Sequence, residues 1–397
     1  MITAAALTVF WISLTVALYT QFGYPIVLFV CYGMVQVKRD LKYLASRTDR
    51  RRGELKDEQL PTVTMIFAAY NEEEHLAEKL ENTLALDYPA EKLQVVIVSD
   101  GSSDRTNEIL RTFADSRFDI EIRDERAGKC AALSLAAERA RNSIFVLSDS
   151  STMFAPDALR KLVRHFQDPA IGAVCGALSF GYNAETRQTE GAYWKFETIL
   201  RLMEARLGAT LTPSGAIYAV RREAYTPPAP DVIVDDILTL MNVRRAGYAV
   251  HYDPEARAVD YPASSVAGEF RRRVRIGTGS FRALPALLRV PQSGFTAFAF
   301  FSHKLLRWVL PLFLIALFAS NLLLAAHPFY ALVLAAQVVV LLWAGLGFLF
   351  RKSLRGIRFS LLGYFLVAMQ LAFLIGLMRS LVDCLAGRRE AAWQRSN

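Results

Sequence analysis

Ser143-Ile144-Phe145-Val146-Leu147-Ser148-Asp149-Ser150-Ser151 is the stretch whose reading decides the fold. Its apolar residues run without interruption into a carboxylate and follow an Ala-rich helical pattern from Ala131 to Ala140. A short apolar run with no polar alternation reads as a central parallel strand covered by helices on both faces. Asp149 then stands at the strand's C-terminal edge, where open α/β sheets bind ligands. A hard carboxylate followed by the hydroxyls of Ser150 and Ser151 suits a Mg²⁺ or Mn²⁺ ion carrying substrate phosphates. Taken alone, the same residues also read as the cap of the next helix, a position Asp and Ser favour.

Outward from this strand, the composition divides the chain. Of 397 residues 53% are hydrophobic, and the excess lies at the two ends, in residues 4–37 and 296–385. Residues 38–295 have ordinary globular composition, so a catalytic-sized domain is expected between membrane segments. The net charge of +8 gathers beside those segments. Lys38, Arg39, Lys42, Arg47, Arg50, Arg51 and Arg52 follow the first apolar run, which by the positive-inside rule puts the domain in the cytoplasm of a multi-pass protein of the cell (inner) membrane. Membrane lipids account for this charge better than nucleic acid, which is not expected as a partner. Cys31, Cys130, Cys175 and Cys384 have no CxxC spacing, and the five histidines form no HxxxH pair. Zinc and disulfides are therefore not expected.

The division expected is an anchor with a basic flank over 1–45, a linker over 46–60, an α/β domain over 61–265, interfacial amphipathic helices over 266–308, membrane helices over 309–385 and a basic tail over 386–397. Ala4 to Val37 is too long for a signal-peptide core and reads as an uncleaved anchor, interrupted at Gly23-Tyr24-Pro25. Strands are expected at Val63–Ala68, Gln94–Ser99, Asp119–Ile122, Ile144–Ser148, Ala173–Ser179, Ala216–Val220 and Ala249–Asp253. Helical patterns between them indicate crossovers. Asn71 reads as an N-cap with Glu72, Glu73 and Glu74 in the first turn. A tight turn through Gly101 is expected to open the second helix. After Pro262, Arg271, Arg272, Arg273 and Arg275 mix with Phe270, Ile276, Phe281, Leu284, Leu287 and Leu288 in an interfacial pattern. Spans follow over 309–326 and 330–350, separated by His327-Pro328, and Arg351, Lys352, Arg355 and Arg358 form a cytoplasmic loop. The run Phe359–Leu377 fits either a full span or a tilted or re-entrant helix, because a full span puts Arg388, Arg389 and Arg395 outside.

Five motifs in order carry a resemblance: Phe67-Ala68-Ala69-Tyr70-Asn71-Glu72-Glu73, Val98-Ser99-Asp100-Gly101-Ser102-Ser103-Asp104, Ala127-Gly128-Lys129, Leu147-Ser148-Asp149-Ser150-Ser151 and Val234-Asp235-Asp236. Over about residues 60–310 the chain resembles membrane-bound inverting glycosyltransferases of family 2, the group of cellulose, hyaluronan and chitin-oligomer synthases. The resemblance implies a GT-A-like α/β fold with a mixed, mostly parallel sheet flanked by helices. It also implies transfer of a sugar from a nucleotide diphosphate donor, expected to be UDP-linked, to a growing polysaccharide or a lipid-linked acceptor.

By the same resemblance, Ala68, Tyr70, Glu72 and Asp100 fall where the nucleotide base and ribose are held, and Lys129 falls beside the nucleotide. Asp149 matches the first acid of the metal-binding Asp-x-Asp motif, with Ser150 between, and Ser151 stands where the second acid would be. Asp235 and Asp236 match an acidic pair whose second member is the general base. Arg272-Arg273-Val274-Arg275-Ile276 occupies the place of a Gln-x-x-Arg-Trp motif, with Arg272 and Ile276 replacing its Gln and Trp and Arg275 matching its arginine, a candidate for neutralising the departing diphosphate. Ser214-Gly215-Ala216 matches a small-residue segment where backbone approaches the sugar. The absent second acid and absent Trp leave two alternatives open: single addition to a lipid-linked acceptor, or a non-catalytic nucleotide-sugar-binding subunit. Partner synthase subunits or a homo-oligomer are compatible with either.

Overall fold

In the computed structural model, the residues described are 2–46, 53, 55–181, 190–212, 215–261, 266–289, 294–351, 353 and 361–387. The basic cluster at Arg47 and 50–52, Ser214, Lys352, Arg355, Arg358 and the tail arginines lie outside them.

Among the described residues, eight strands form one sheet: β1 (Val63–Ala69), β2 (Leu93–Asp100), β3 (Phe118–Arg123), β4 (Ile144–Ser148), β5 (Met153–Phe154), β6 (Ile171–Phe180), β7 (Ile217–Arg221) and β8 (Ala249–Asp260). Their order is β3-β2-β1-β4-β7-β6-β8-β5. β3, β2, β1 and β4 are parallel, as are β6 and β8. β7 runs antiparallel between β4 and β6, and β5 antiparallel to β8. The sheet is thus the mixed, mostly parallel one expected. Three features differ from the sequence reading: β5 was not expected, β7 reverses direction inside the sheet, and β8 continues past Asp253 to Asp260. The extension passes a register shift at Gly176/Ala177, where a Cβ on Gly176 would come within 2.6 Å of the Ala256 carbonyl oxygen.

β1 and β4 are buried along their whole length. Alternate residues feed two cores, as the two-residue period of a strand requires. Met65, Phe67, Ile97 and Val146 pack with Leu76 and Leu80 of α3 (Leu76–Leu84) and with Leu159 and Leu162 further along the chain. Ile66, Val96, Phe145 and Leu147 pack with Ala132 and Ala136 of α5 (Lys129–Arg139) and with Leu240 and Val243 of α8 (Asp235–Arg245). α4 (Thr106–Thr112) and α5 begin after β2 and β3, at the edge where the parallel strands end; β7 ends at the opposite edge, with Arg221 paired to Ile144, and residues 222–234 carry the chain back so that α8 opens beside Lys129.

Among the described residues, four helices are long and apolar enough to cross a membrane: Thr3–Ser46, Gly294–Leu324, Pro328–Leu349 and Leu362–Leu385. The first contains α1 (Ile2–Leu18) and α2 (Tyr24–Ser46), joined by a π-helical turn at Tyr19–Gly23 rather than broken there. It is about 66 Å long at 1.5 Å per residue, more than the roughly 30 Å of a hydrocarbon core. Its end therefore projects with Arg39, whose guanidinium donates to the Arg206 carbonyl at 3.1 Å. The helix from Gly294 to Leu324 also contains a π-helical turn, Phe300–Leu305. The two π-turns meet: Tyr19 Oη lies 2.8 Å from Ser302 Oγ. Around them, Glu204 accepts from Tyr24 and pairs with His303 at 2.6 Å, while Glu197 accepts from Arg307 at 2.8 Å. Both acids belong to a helix of the α/β domain, α7 (Glu190–Arg206), so buried charge pins that domain to the apolar helices.

α9 (Val266–Leu288) carries the arginines read as interfacial and lies against the last apolar helix. A Cβ on Gly376 would sit 2.8 Å from the backbone nitrogen of Thr278, so backbones touch at this crossing. His327 caps the third apolar helix by accepting from the Phe329 amide, and Pro328 opens it, as expected of that turn.

Candidate active site

At the sheet edge where the parallel strands end, Lys129, the first residue of α5, joins β4 to α8. Its ammonium lies 2.7 Å from Asp149 Oδ1 and 3.9 Å from Asp235 Oδ2. Burial opposes the lysine's charge, but Asp149 and Asp235 outweigh it and hold the ammonium above its ordinary value. Asp149 remains 36% exposed, and among the described residues its second oxygen accepts no hydrogen bond. Asp149 thus offers one open carboxylate oxygen beside a fixed cation. Among the described residues, no group of three or more His, Cys, Asp or Glu side chains gathers for a metal ion. An ion here would complete its shell with substrate phosphate and water, as Mg²⁺ commonly does. The donor set is oxygen only, which suits Mg²⁺ or Mn²⁺.

Ser150 is buried in the turn after Asp149. Ser151 is engaged elsewhere: its hydroxyl donates to Asp260 Oδ1 at 2.8 Å. Beneath the same turn Lys79 is wholly buried, donating to Ser148 Oγ at 2.8 Å and to the Thr152 carbonyl. Burial lowers its pKa to about 7, against the pull of Asp149 and Asp260.

The acidic pair opens α8 as expected. Asp235 is 8% exposed and faces Lys129. Asp236 points differently, accepting from the Ile237 amide at 2.8 Å, with its Oδ2 3.3 Å from where a Cβ on Gly215 would be. Gly215 has φ +77°, a conformation that disfavours side chains. Burial, and next the charge of Asp235, raise the Asp236 carboxyl to about 6. Only the absence of a side chain at 215 leaves this oxygen open, so Gly215 belongs with Asp236.

Arg272 and Arg275 reach the same region from α9. Arg275 feels the charges of Asp149 and Asp235, although burial and then Arg272 lower its pKa. Arg272 acts on Asp260 and also lies 3.7 Å from Glu269.

On the nucleotide side of the site, the turn at Asn71 departs from expectation. Asp100 is fully buried, and its oxygens accept from the backbone amides of Ala127 at 2.9 Å and Gly128 at 2.7 Å. Each oxygen accepts one backbone amide, which folds the loop that delivers Lys129. Asn71 is no N-cap: it sits at φ +55°, accepts from the Ser103 amide at 2.8 Å, and leaves α3 to begin at Leu76. The Glu72 amide donates to Thr106 Oγ1 at 2.8 Å, tying this turn to the one after β2. Ala68 is buried in β1, and the Tyr70 ring lies under the Arg126 guanidinium, 4.0 Å from its centroid. Asp260 and Lys79 were not legible as site residues. The signal for Asp260 was its place on one buried face with Ala256 and Ala258, two residues apart.

A mostly parallel sheet with an antiparallel insertion, an acid at a strand end and an acidic pair opening a helix make a GT-A-like α/β domain, here carried among apolar helices. Residues 64–226 match the model of glycosyl transferase family 2. Over these residues the chain is similar to that family. It is 27% identical over 259 residues to a poly-beta-1,6-N-acetyl-D-glucosamine synthase of Staphylococcus aureus, covering 62% of this chain and 60% of that one. It is 30% identical over 248 residues to an N-acetylglucosaminyltransferase of a Rhizobium species, covering 58% and 55%. The chain thus spans about 60% of the length of the synthase it matches. The fold also resembles a Pyrobaculum calidifontis mannosyltransferase solved with GDP-Man and Mn²⁺, with a TM-score of 0.70 and 22% identity over 96% of this chain and 99% of that one.

Proposed function

We propose that this protein is a membrane-embedded inverting glycosyltransferase that moves a sugar from a nucleotide diphosphate to a growing polysaccharide or lipid-linked acceptor. The observation that carries the reading is the Asp149–Lys129–Asp235–Asp236 series, which sets a diphosphate-side acid and cation next to a carboxylate raised to about 6. Asp236 is the base. It takes the acceptor hydroxyl's proton as that oxygen bonds to the anomeric carbon and the bond to the diphosphate breaks on the opposite face. A carboxylate with a pKa near 6 is mostly ionised at neutral pH yet more basic than an ordinary one. Lys129 and Arg275 stabilise the leaving diphosphate, Asp149 holds a divalent ion, and Asp235 keeps Lys129 in place. A bound Mg²⁺ or Mn²⁺ supplies charge neutralisation of the phosphates.

The names of the relatives make UDP-N-acetylglucosamine the first donor to test, and the synthase likeness favours a polymer product. The basic flanks favour a cytoplasmic active site in a multi-pass cell-membrane protein. Membranes containing the full chain should incorporate labelled sugar from UDP- or GDP-sugars. Long chains identify a polymerase and one discrete product a single-addition enzyme, while no incorporation from any donor refutes the reading.

A further inference from the structure

Position 151, two residues after Asp149, holds a serine whose hydroxyl lies 2.8 Å from Asp260 Oδ1. A carboxylate at 151 would carry its oxygens only one bond further, roughly 1.2 Å beyond that hydroxyl. The oxygen of Asp260 therefore lies close to where an acid at 151 would place its own. Asp260 comes from the end of β8, on the far side of the turn, and is 7% exposed. Its Oδ1 accepts from Ser151 and from the Tyr261 amide at 3.0 Å, and among the described residues its Oδ2 accepts no hydrogen bond. A buried carboxylate with an open oxygen is costly unless something pairs with it.

We propose that Asp260 is the second carboxylate of the divalent-cation site, supplied from β8 to the position that Ser151 leaves vacant. This inference rests on the metal-dependent transfer proposed above. The electrostatics agree with the geometry: burial, and next the charge of Asp149, raise the Asp260 carboxyl, as expected of two acids that lack a shared cation. Lys79, anchored under the 148–152 turn, feels the charges of both acids. Ser151 acts as a positioning residue that aims Asp260.

The test is Mn²⁺ binding to the purified full chain in detergent, read by loss of the free-ion paramagnetic resonance signal with UDP or GDP added. Wild type should bind Mn²⁺ with nucleotide. Asp260→Asn should weaken binding at least about tenfold. The exchange Ser151→Asp with Asp260→Ser should restore it to within about threefold, because the carboxylate returns from the other side of the same hydrogen bond. Wild-type affinity in Asp260→Asn overturns the inference and leaves the proposed function intact. Loss in Asp260→Asn without recovery in the exchange also overturns it, making Asp260 a packing residue. No nucleotide-dependent Mn²⁺ binding in wild type removes the metal role of Asp149 and this inference together.

Discussion

Lys129 Nζ lies 2.7 Å from Asp149 Oδ1, so the cation at the start of α5 already sits on the acid expected to hold a metal. Lysine and metal ion compete for Asp149 but cooperate on a diphosphate. Lys129→Met should therefore tighten Mn²⁺ binding without nucleotide and weaken nucleoside diphosphate binding, each by about tenfold, or roughly 1.4 kcal/mol. Calorimetric titration of both ligands checks this, and weakening of both assigns Lys129 to holding Asp149 in shape.

Asp236 supplies a pH prediction with a definite sign. Its folded pKa, about 6, is raised above the ordinary carboxylate value. The ionised base is lost below that value, so turnover should fall as pH drops through about 6. The folded state binds the extra proton between the unfolded and folded values, so this group's stabilising effect is lost as pH rises through 6. Asp236→Asn should accordingly abolish at least about 99% of turnover yet melt higher than wild type at pH 7. The difference should shrink toward pH 4, where the wild-type carboxyl is also neutral. Equal melting at both values denies that burial shapes this group.

Gly215 tests the space around that base. Gly215→Ala adds about 1–2 kcal/mol of left-handed strain and a methyl 3.3 Å from Asp236 Oδ2. Turnover should drop at least about tenfold with nucleotide affinity little changed. Gly208, at φ +80° with nothing within 4 Å of an added Cβ, is the control: Gly208→Ala should show the strain in melting temperature and keep its turnover.

Much of this arrangement was legible in the sequence, and the misses have physical causes. Ile144–Ser148 was read with its observed bounds because an uninterrupted apolar run before Asp149 has one good use in an α/β sheet. The direction of β7 was not legible, since an apolar strand buried on both faces looks the same either way. Asn71 misled because asparagine serves both as an N-cap and as a left-handed turn residue, and only the partner at Ser103 decides. Asp260 was missed because Pro254 looks like a strand end, whereas β8 bulges there and continues.

Asp100, expected to touch the nucleotide, also holds the loop that carries Lys129. Asp100→Asn turns one acceptor into a donor facing an amide, a loss of about 1.5–3 kcal/mol for a charged hydrogen bond. Melting temperature and diphosphate affinity should fall together. A pure affinity loss with unchanged melting returns Asp100 to direct nucleotide contact.

The central claim is that Asp236 catalyses sugar transfer within a site that binds its donor independently of that acid. The direct measurement is nucleoside diphosphate release by the purified full chain, with Mg²⁺ or Mn²⁺ and a panel of UDP- and GDP-sugars, for wild type and Asp236→Asn. Wild type should release diphosphate with at least one donor, and Asp236→Asn should fall at least about a hundredfold while binding that donor within about tenfold of wild type. A wild-type protein that binds nucleotide but neither transfers nor hydrolyses any sugar, or an Asp236→Asn variant as active as its parent, would contradict the account.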